Sequence, residues 1–234
     1  MIRKLLFCSA FAAVTLCAAD IHVAGDSIYA PSKAPGMGIG DAIKLFCKPD
    51  VKVFNRAVGG RSTKSFISEG RWKKLMAVVK PGDYVFIQFG HNDQKKHDKN
   101  RYADPATDYR VYLKKMITDI RAKKANPVLI TSIVRCRFAK GKLRDTGLYP
   151  YRNAVFAVAA EEKVPVVNMN GISEEKINAV GEEAALKWFM FSTDHPKAKG
   201  IDRTHTNVEG AELFASWLVD DCKKQNLPVT ECFK

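Results

Sequence analysis

Short apolar runs alternate with longer mixed segments along most of the chain. The runs at 21–24, 51–55, 84–89, 128–134 and 164–168 are rich in valine, isoleucine and aromatic residues. Runs of this length and composition are typical of strands that are buried on both faces of a sheet. The segments at 38–47, 62–79, 106–124, 151–162, 173–187 and 208–224 have the length and composition of helices. This alternation predicts a parallel sheet with helices on both faces, joined by right-handed crossovers.

Turn residues separate these predicted elements. Pro81-Gly82-Asp83 ends the helix predicted at 62–79 and leads into the third strand, and Asn126-Pro127 precedes the fourth. In open sheets of this kind, ligands bind beside the loops that follow the carboxyl ends of the strands. We therefore expect the chemically active side chains on those loops.

The first nineteen residues have the pattern of a secretory signal peptide. Arg3 and Lys4 precede an apolar run at 5–16 that is too short to span a bilayer, and small residues follow it at 17–19. Cleavage near position 19 would leave residues 20–234 as a single domain, secreted or periplasmic and not held in a membrane. The alternative is a lipoprotein acylated at Cys17, which the bulky Leu16 before it disfavours.

The mature chain would keep four of the six cysteines, Cys47, Cys136, Cys222 and Cys232. In an oxidising compartment four cysteines allow three sets of pairs, and Cys222 with Cys232 is the local pair that we favour. None of the four has zinc-ligand spacing, and we expect neither a metal nor a cofactor. The length fits one α/β domain, which we expect to be a monomer.

The formal net charge is +13. A strongly basic protein attracts polyanions, although a solvated lysine-rich surface is the simpler explanation of the charge alone. Secretion would favour an acidic polysaccharide as partner and disfavour nucleic acid.

Four clusters of polar residues and glycine carry the chemistry. They are Gly25-Asp26-Ser27 after the first strand, Gly59-Gly60 after the second, Gly90-His91-Asn92-Asp93 after the third, and Asp202-Arg203-Thr204-His205 before the last helix. Each has a plain structural interpretation as a turn or a helix cap. In particular, Asp26 and Asp93 stand where a turn or helix start favours a carboxylate.

Together the four clusters contain the parts of serine acyl-transfer chemistry. Ser27 would be the nucleophile, His205 the general base that takes its proton, and Asp202 the carboxylate that orients the imidazole. A tetrahedral intermediate also needs donors aimed at its oxyanion. The backbone N–H groups of Ser27 and Gly60 and the side-chain amide of Asn92 would suit this purpose.

The clusters resemble the four sequence blocks of the SGNH (GDSL-type) hydrolases, in the order and at the separations of that family. The segments GGRSTKSFISEGRW, KPGDYVFIQFGHNDQ and DRTHTNVEGA are most similar to the rhamnogalacturonan acetylesterase branch, carbohydrate esterase family twelve. The resemblance implies a three-layer α/β/α sandwich with a five-stranded parallel sheet, the flavodoxin-like fold of SGNH hydrolases. It implies the same roles for Ser27, Gly60, Asn92, Asp202 and His205. The first block departs from the family pattern, because it reads GDSIY rather than GDSL or GDST. Ile28 therefore follows the nucleophile, which bears on how the substrate fits.

The resulting hypothesis is a secreted esterase that removes O-acetyl groups from pectic polysaccharide. Acetylxylan, peptidoglycan or a general lipase-type ester are alternative substrates, and a catalytically silent glycan-binding protein is an alternative of another class. Arginines suit bidentate contacts with galacturonate carboxylates. The candidate substrate-binding residues are His91, Arg61, Arg101, Arg137, Lys197 and Arg203. His91 could equally brace its loop.

Overall fold

A five-stranded parallel sheet forms the centre of the protein in a computed structural model, which describes residues 19–190 and 202–234. Its strands lie in the order β2-β1-β3-β4-β7, and a separate antiparallel hairpin is made of β5 and β6. The strands are β1 (Ile21–Gly25), β2 (Val53–Asn55), β3 (Tyr84–Gln88), β4 (Asn126–Ile130), β5 (Phe138–Ala139), β6 (Lys142–Leu143) and β7 (Val166–Val167). The predicted five-stranded parallel sheet is confirmed, whereas the hairpin has no counterpart in the sequence prediction.

Helices connect the strands of the sheet. They are α1 (Ile39–Ala42), α2 (Thr63–Ser68), α3 (Arg71–Met76), α4 (Asp108–Ala122), α5 (Tyr149–Glu162), α6 (Met169–Val180), α7 (Glu182–Leu186) and α8 (Val208–Lys224). Two 3-10 helices, Ile43–Phe46 and Pro228–Cys232, complete the described elements.

Two apolar clusters lie on opposite faces of the sheet. Alternate residues of a strand point to opposite faces, so Val23 packs with α1, α6 and α8 while its neighbour Ala24 packs with α3, α4 and α5. Both faces of β1 and β3 are buried, which explains why their sequences are continuously apolar. The chain therefore forms the predicted three-layer α/β/α sandwich.

Several predicted boundaries differ from the structure for local reasons. The helix predicted at 62–79 is two helices, because Gly70 adopts a left-handed conformation (φ 71°) between α2 and α3. The helix predicted at 173–187 begins earlier, at Met169, where the Asn168 side chain accepts from the N–H of Gly171. It is also interrupted at Gly181, so α6 and α7 are separate. The fourth strand begins at Asn126 and ends at Ile130, four residues before the predicted end.

The predicted Cys222–Cys232 disulfide is wrong. Cys47, Cys136, Cys222 and Cys232 are all buried free thiols. Cys222 lies within the core on α8, whereas the Cys232 thiol points toward the start of β1 and donates to the Ala19 carbonyl at 3.6 Å. Burial raises the pKa of both thiols to about 12.

Within residues 19–190 and 202–234, no helix combines the length and apolar character that a membrane crossing needs.

Candidate active site

Ser27 lies at the carboxyl end of β1 in a tight turn. The Asp26 carbonyl accepts from the N–H groups of Tyr29 and Ala30 at 3.2 and 3.0 Å, and the Asp26 carboxyl accepts from the N–H of Ile28 at 3.0 Å. These bonds fold the backbone back directly after the strand, as the Gly-Asp-Ser sequence predicts. The hydroxyl of Ser27 is therefore presented at the edge of the sheet.

His205 and Asp202 complete a hydrogen-bonded line with Ser27. The Nε2 atom of His205 lies 2.8 Å from Oγ of Ser27, and its Nδ1 atom lies 2.7 Å from Oδ2 of Asp202. The other oxygen of Asp202 accepts from the N–H groups of Thr204 and His205 at 2.9 and 3.1 Å. This carboxylate thus fixes both the imidazole and the backbone of its own loop.

Two other segments hold the loop that carries His205. The Met190 N–H donates to the His205 carbonyl at 2.8 Å, and the Asp202 N–H donates to the Met190 carbonyl at 3.0 Å. On the other side, the Thr206 hydroxyl donates to the Met37 carbonyl at 2.8 Å. The imidazole is therefore placed by backbone contacts as well as by Asp202.

Helix α8 begins directly after this loop and packs closely against the residues before it. The Asn207 side chain caps the helix by accepting from the N–H of Gly210 at 2.8 Å. A Cβ atom at position 210 would lie 1.9 Å from the Trp188 carbonyl oxygen, closer than any real contact. Glycine at this position therefore allows α8 to approach the segment that holds His205.

The electrostatic environment of His205 and Asp202 favours an ion pair between an imidazolium and a carboxylate. The hydrogen bond from Asp202 raises the pKa of His205, burial of the ring opposes this, and the negative charges of Asp202 and Asp26 add to the increase. Burial raises the pKa of Asp202, but its hydrogen bond to His205 and the charge of that ring outweigh burial and hold the pKa below its usual value. An imidazolium at His205 is accordingly stabilised.

The loops after β2 and β3 carry the other predicted oxyanion donors, Gly60 and Asn92. The turn at Gly59-Gly60 comes so close that a Cβ at Gly59 would lie 3.7 Å from that of Ser27, and Gly60 has a φ of 78° that favours glycine. Among the described residues, no acceptor binds the backbone N–H of Ser27 or Gly60. The Asn92 amide donates to the Arg61 carbonyl at 3.1 Å.

Two cavities flank this arrangement. The larger, about 430 Å³, is lined by Ser27, Ala30, Pro31, Ser32, Met37, Gly59, Met190, Asp202, His205 and Thr206. The smaller, about 200 Å³, is lined by Gly60, Arg61, Ser65, Glu69, Asp98, Asn100 and Arg101. The first can receive an ester group at the Ser27 hydroxyl, and the second is rich in charged side chains.

Asp26 and Asp93 are fully buried beneath the site. The Asp93 carboxyl accepts from the N–H and the hydroxyl of Thr63 at 2.9 and 2.6 Å, which ties the loop after β3 to the start of α2. Burial raises the pKa of Asp26 to about 6 and that of Asp93 to about 7, although hydrogen bonds from Ile28 and Thr63 oppose these increases. Both carboxyls therefore stabilise the loops that carry the site, through their hydrogen bonds to Ile28 and Thr63.

The structure distributes the predicted substrate-binding residues over different environments. His91 is buried, its Nε2 atom lies 3.1 Å from the Ile133 carbonyl, and burial holds its pKa well below the usual value. Arg203 binds the Cys136 carbonyl at 3.0 Å and the Glu182 carboxylate. Arg137 is exposed just before β5. Lys197 lies outside the described residues.

Arg61 and Arg101 are the two predicted residues that line the smaller cavity. The Nε atom of Arg61 donates to Glu69 at 3.0 Å, and that of Arg101 pairs with Asp98 at 2.9 Å. One terminal nitrogen of Arg101 lies 3.9 Å from where a Cβ at Gly60 would be. A positively charged side chain therefore stands directly beside the proposed oxyanion donors.

Sequence reasoning missed Lys95 and Arg135. Lys95 donates to the side-chain oxygen of Asn92 at 2.7 Å. Arg135 is half-buried, its guanidinium donates to the Thr146 hydroxyl at 3.0 Å, and burial lowers its pKa while the negative charges of Asp26 and Asp202 raise it. Arg135 follows the apolar run at 128–134, so the rule that active groups follow strands could have indicated it.

Among residues 19–190 and 202–234, no three histidine, cysteine, aspartate or glutamate side chains are grouped as ligands for a metal ion.

Comparison with known proteins identifies the family. Residues 23–213 match the model of the GDSL-like Lipase/Acylhydrolase family. The chain is 37% identical to a Bacillus subtilis (strain 168) protein named "Probable rhamnogalacturonan acetylesterase YesY", over 90% of this chain and 95% of that protein. It is 33% identical to "Rhamnogalacturonan acetylesterase RhgT" of the same organism, over 91% of this chain and 93% of that protein.

A solved structure shows the same fold. The Bacillus subtilis protein YxiM superposes with a TM-score of 0.77 at 25% identity, over 90% of this chain and 57% of that one. The chain thus spans little more than half the length of that protein. The family match and the two relatives confirm the resemblance inferred from the sequence blocks. The chain belongs to the GDSL-like lipase and acylhydrolase (SGNH hydrolase) family and is an esterase.

Proposed function

We propose that this protein is a secreted carbohydrate esterase that removes O-acetyl groups from acetylated rhamnogalacturonan through a serine acyl-enzyme. One observation carries the mechanism. The line Ser27–His205–Asp202, with contacts of 2.8 and 2.7 Å, opens into a cavity that can hold an ester group. These three residues are the proposed catalytic residues.

The geometry supports a two-step reaction. The Ser27 hydroxyl attacks the acetyl carbonyl carbon while Nε2 of His205 takes its proton, and Asp202 stabilises the resulting imidazolium. The oxyanion would be bound by the N–H groups of Ser27 and Gly60 and by the Asn92 amide. The sugar oxygen leaves with the proton from His205, and an acetyl group remains on Ser27. A water molecule, deprotonated by His205, then releases acetate and restores the serine.

Three observations support a pectic substrate. The two relatives that match nearly their whole length are named as rhamnogalacturonan acetylesterases. The chain is strongly basic, as suits an acidic polymer. The Nε edge of Arg101 is held by Asp98, and no described residue binds its two terminal nitrogens. This guanidinium, beside Gly60, is placed to bind a uronate carboxylate next to the acetylated sugar.

The location of the enzyme is proposed from the N-terminal pattern. Residues 1–19 act as a cleaved signal peptide, and residues 20–234 form the exported hydrolase domain. Residues 1–18 lie outside the part of the chain that the structure describes. Mass determination of the protein from the culture medium or periplasm would locate the cleavage site, and an acylated N-terminal Cys17 would contradict the proposal.

Acetate release from acetylated polysaccharides tests the activity. Wild type, Ser27→Ala and the control Ser68→Ala, which changes an exposed serine that lines neither cavity, are compared on acetylated rhamnogalacturonan, acetylxylan and O-acetylated peptidoglycan. We expect rapid release from rhamnogalacturonan by wild type and Ser68→Ala alone. Undiminished release by Ser27→Ala would contradict the serine mechanism. Faster acetate release from acetylxylan or peptidoglycan would show that this polymer is the preferred substrate. Binding of pectin without any acetate release would identify a glycan-binding protein.

A further inference from the structure

Lys95 makes its shortest contact with Asn92, a proposed oxyanion donor. Its ammonium group donates to Oδ1 of Asn92 at 2.7 Å. The two residues belong to one turn after β3, in which the Lys95 N–H also donates to the Asn92 carbonyl at 3.2 Å. Asn92 is only 3% exposed, and Lys95 is half-buried beside it. The contact thus lies within one turn and is partly shielded from solvent.

This contact and the Arg61 carbonyl together set the orientation of the Asn92 amide, with the oxygen toward Lys95. An ammonium group can only donate, so its partner must be the amide oxygen. The nitrogen end then points the other way, where it donates one hydrogen to the Arg61 carbonyl at 3.1 Å. Its second hydrogen is left for the ligand. An amide rotated by 180° would instead present an oxygen to the oxyanion and repel it.

The charge on Lys95 gives a second advantage. A cation on the oxygen of an amide polarises the group and strengthens its N–H donors, more so where water is scarce. Burial lowers the pKa of Lys95 and the positive charges of Arg101 and Arg135 lower it further, while the negative charges of Asp26 and Asp98 oppose this change.

We propose that Lys95 is a positioning residue of the esterase reaction, which holds the amide of Asn92 with its nitrogen toward the oxyanion and strengthens it as a donor. The inference rests on the proposed function, in which Asn92 binds the oxyanion. Lys95 itself touches neither substrate nor the reacting atoms.

Steady-state kinetics of Lys95→Met tests this role on 4-nitrophenyl acetate, a small neutral ester that needs no contact with basic side chains. Methionine keeps the length of the side chain and removes the charge and the donor. We expect kcat to fall about tenfold, less than the 10²–10³-fold loss of a whole oxyanion donor, with KM nearly unchanged. Lys96→Met, which removes an exposed charge from the next position, should behave as wild type.

A double-mutant cycle separates positioning from a structural effect. In an Asn92→Ala background, Lys95→Met should lower kcat by less than twofold, because its partner is already gone. Equal losses in both backgrounds, or a KM that rises as kcat falls, would overturn the proposal. So would a kcat for Lys95→Met equal to that of wild type while Ser27→Ala is inactive. Full activity of Ser27→Ala would instead overturn the serine mechanism and the oxyanion role of Asn92 with it.

Discussion

The imidazole of His205 lies between Ser27 and Asp202, with Nε2 2.8 Å from Oγ of Ser27 and Nδ1 2.7 Å from the carboxylate of Asp202. The ring can accept a proton only while it is neutral. Because the bond from Asp202 raises the pKa of His205, activity should be lost as the pH falls through a value above 6.5, the usual pKa of histidine.

Replacing Asp202 by Asn should lower activity and shift this pH dependence. The variant loses the negative charge that stabilises the imidazolium, so kcat should fall by about 10⁴-fold, as in other serine triads. The pKa of His205 should also fall, which moves the acid limb of the kcat/KM profile to lower pH. The profile is measured between pH 4 and 9 with 4-nitrophenyl acetate, and Asp220→Asn on the exposed face of α8 is the control. An acid limb that stays in place would show that His205 is not the titrating base.

Replacing Arg101 by Met should weaken activity on the acidic substrate only. The side chain lines the cavity beside Gly60, and loss of a charge-assisted contact should raise KM for acetylated rhamnogalacturonan about tenfold. Turnover of 4-nitrophenyl acetate should be unchanged. Added salt should weaken the wild type on the acidic polymer more than it weakens the variant. Lys123→Met removes one exposed charge elsewhere and should leave KM unchanged; equal KM values in both variants would contradict the carboxylate contact.

Replacing Gly210 by Ala should destabilise the protein and reduce its activity. The new methyl group would need the space of the Trp188 carbonyl oxygen, and such overpacking costs about 1–3 kcal/mol. The segment that must move leads to Met190, which holds His205, so kcat should fall as well. Urea unfolding and kinetics measure both effects. Glu209→Ala, one position earlier on an exposed face, should change the unfolding midpoint far less. A wild-type midpoint for Gly210→Ala would contradict the close packing.

Replacing Asp93 by Asn should make the protein less sensitive to pH. The folded carboxyl keeps its proton up to about pH 7, whereas in the unfolded chain it loses it near pH 3.8. Folding therefore binds a proton in this range, and the free energy of unfolding falls as the pH rises toward 7. Asparagine cannot ionise, so Asp93→Asn should gain stability relative to wild type between pH 5 and pH 8.

Urea unfolding at these two pH values measures that gain. Asp50→Asn, at an exposed position, should differ from wild type by the same amount at both. If the difference between Asp93→Asn and wild type also stays constant, Asp93 does not titrate in this range.

Sequence pattern predicted the sheet, its layers and the segments that meet at the site. Strands buried on both faces leave continuous apolar runs, and parallel strands bring the loops after β1, β2 and β3 to one edge. Helix α8 has the bounds predicted for it, and the structure shows an Asn207 cap at its start. Elements that depend on a single glycine, such as the break at Gly70, were not predicted, since glycine within a helical pattern is ambiguous.

Side-chain pairing was harder to predict than backbone structure. Arg203 was a candidate for substrate, but the structure pairs it with Glu182, a residue that no spacing rule connects to it. Lys95 was missed because its role depends on where the Asn92 amide points within an irregular turn. The Cys222–Cys232 pair was inferred from closeness in sequence, whereas the orientation of each thiol is set by the element that carries it.

Ser27 and His205 are separated by 178 positions along the chain, and the last helix follows His205. A nascent chain that has not reached position 205 therefore has Ser27 without its proposed base, and no fragment that ends before position 205 contains the pair. Under the proposed mechanism, ester hydrolysis can start only after the segment that carries His205 has folded against the loop after β1. Recovery of esterase activity during refolding would accordingly report the docking of the C-terminal segment.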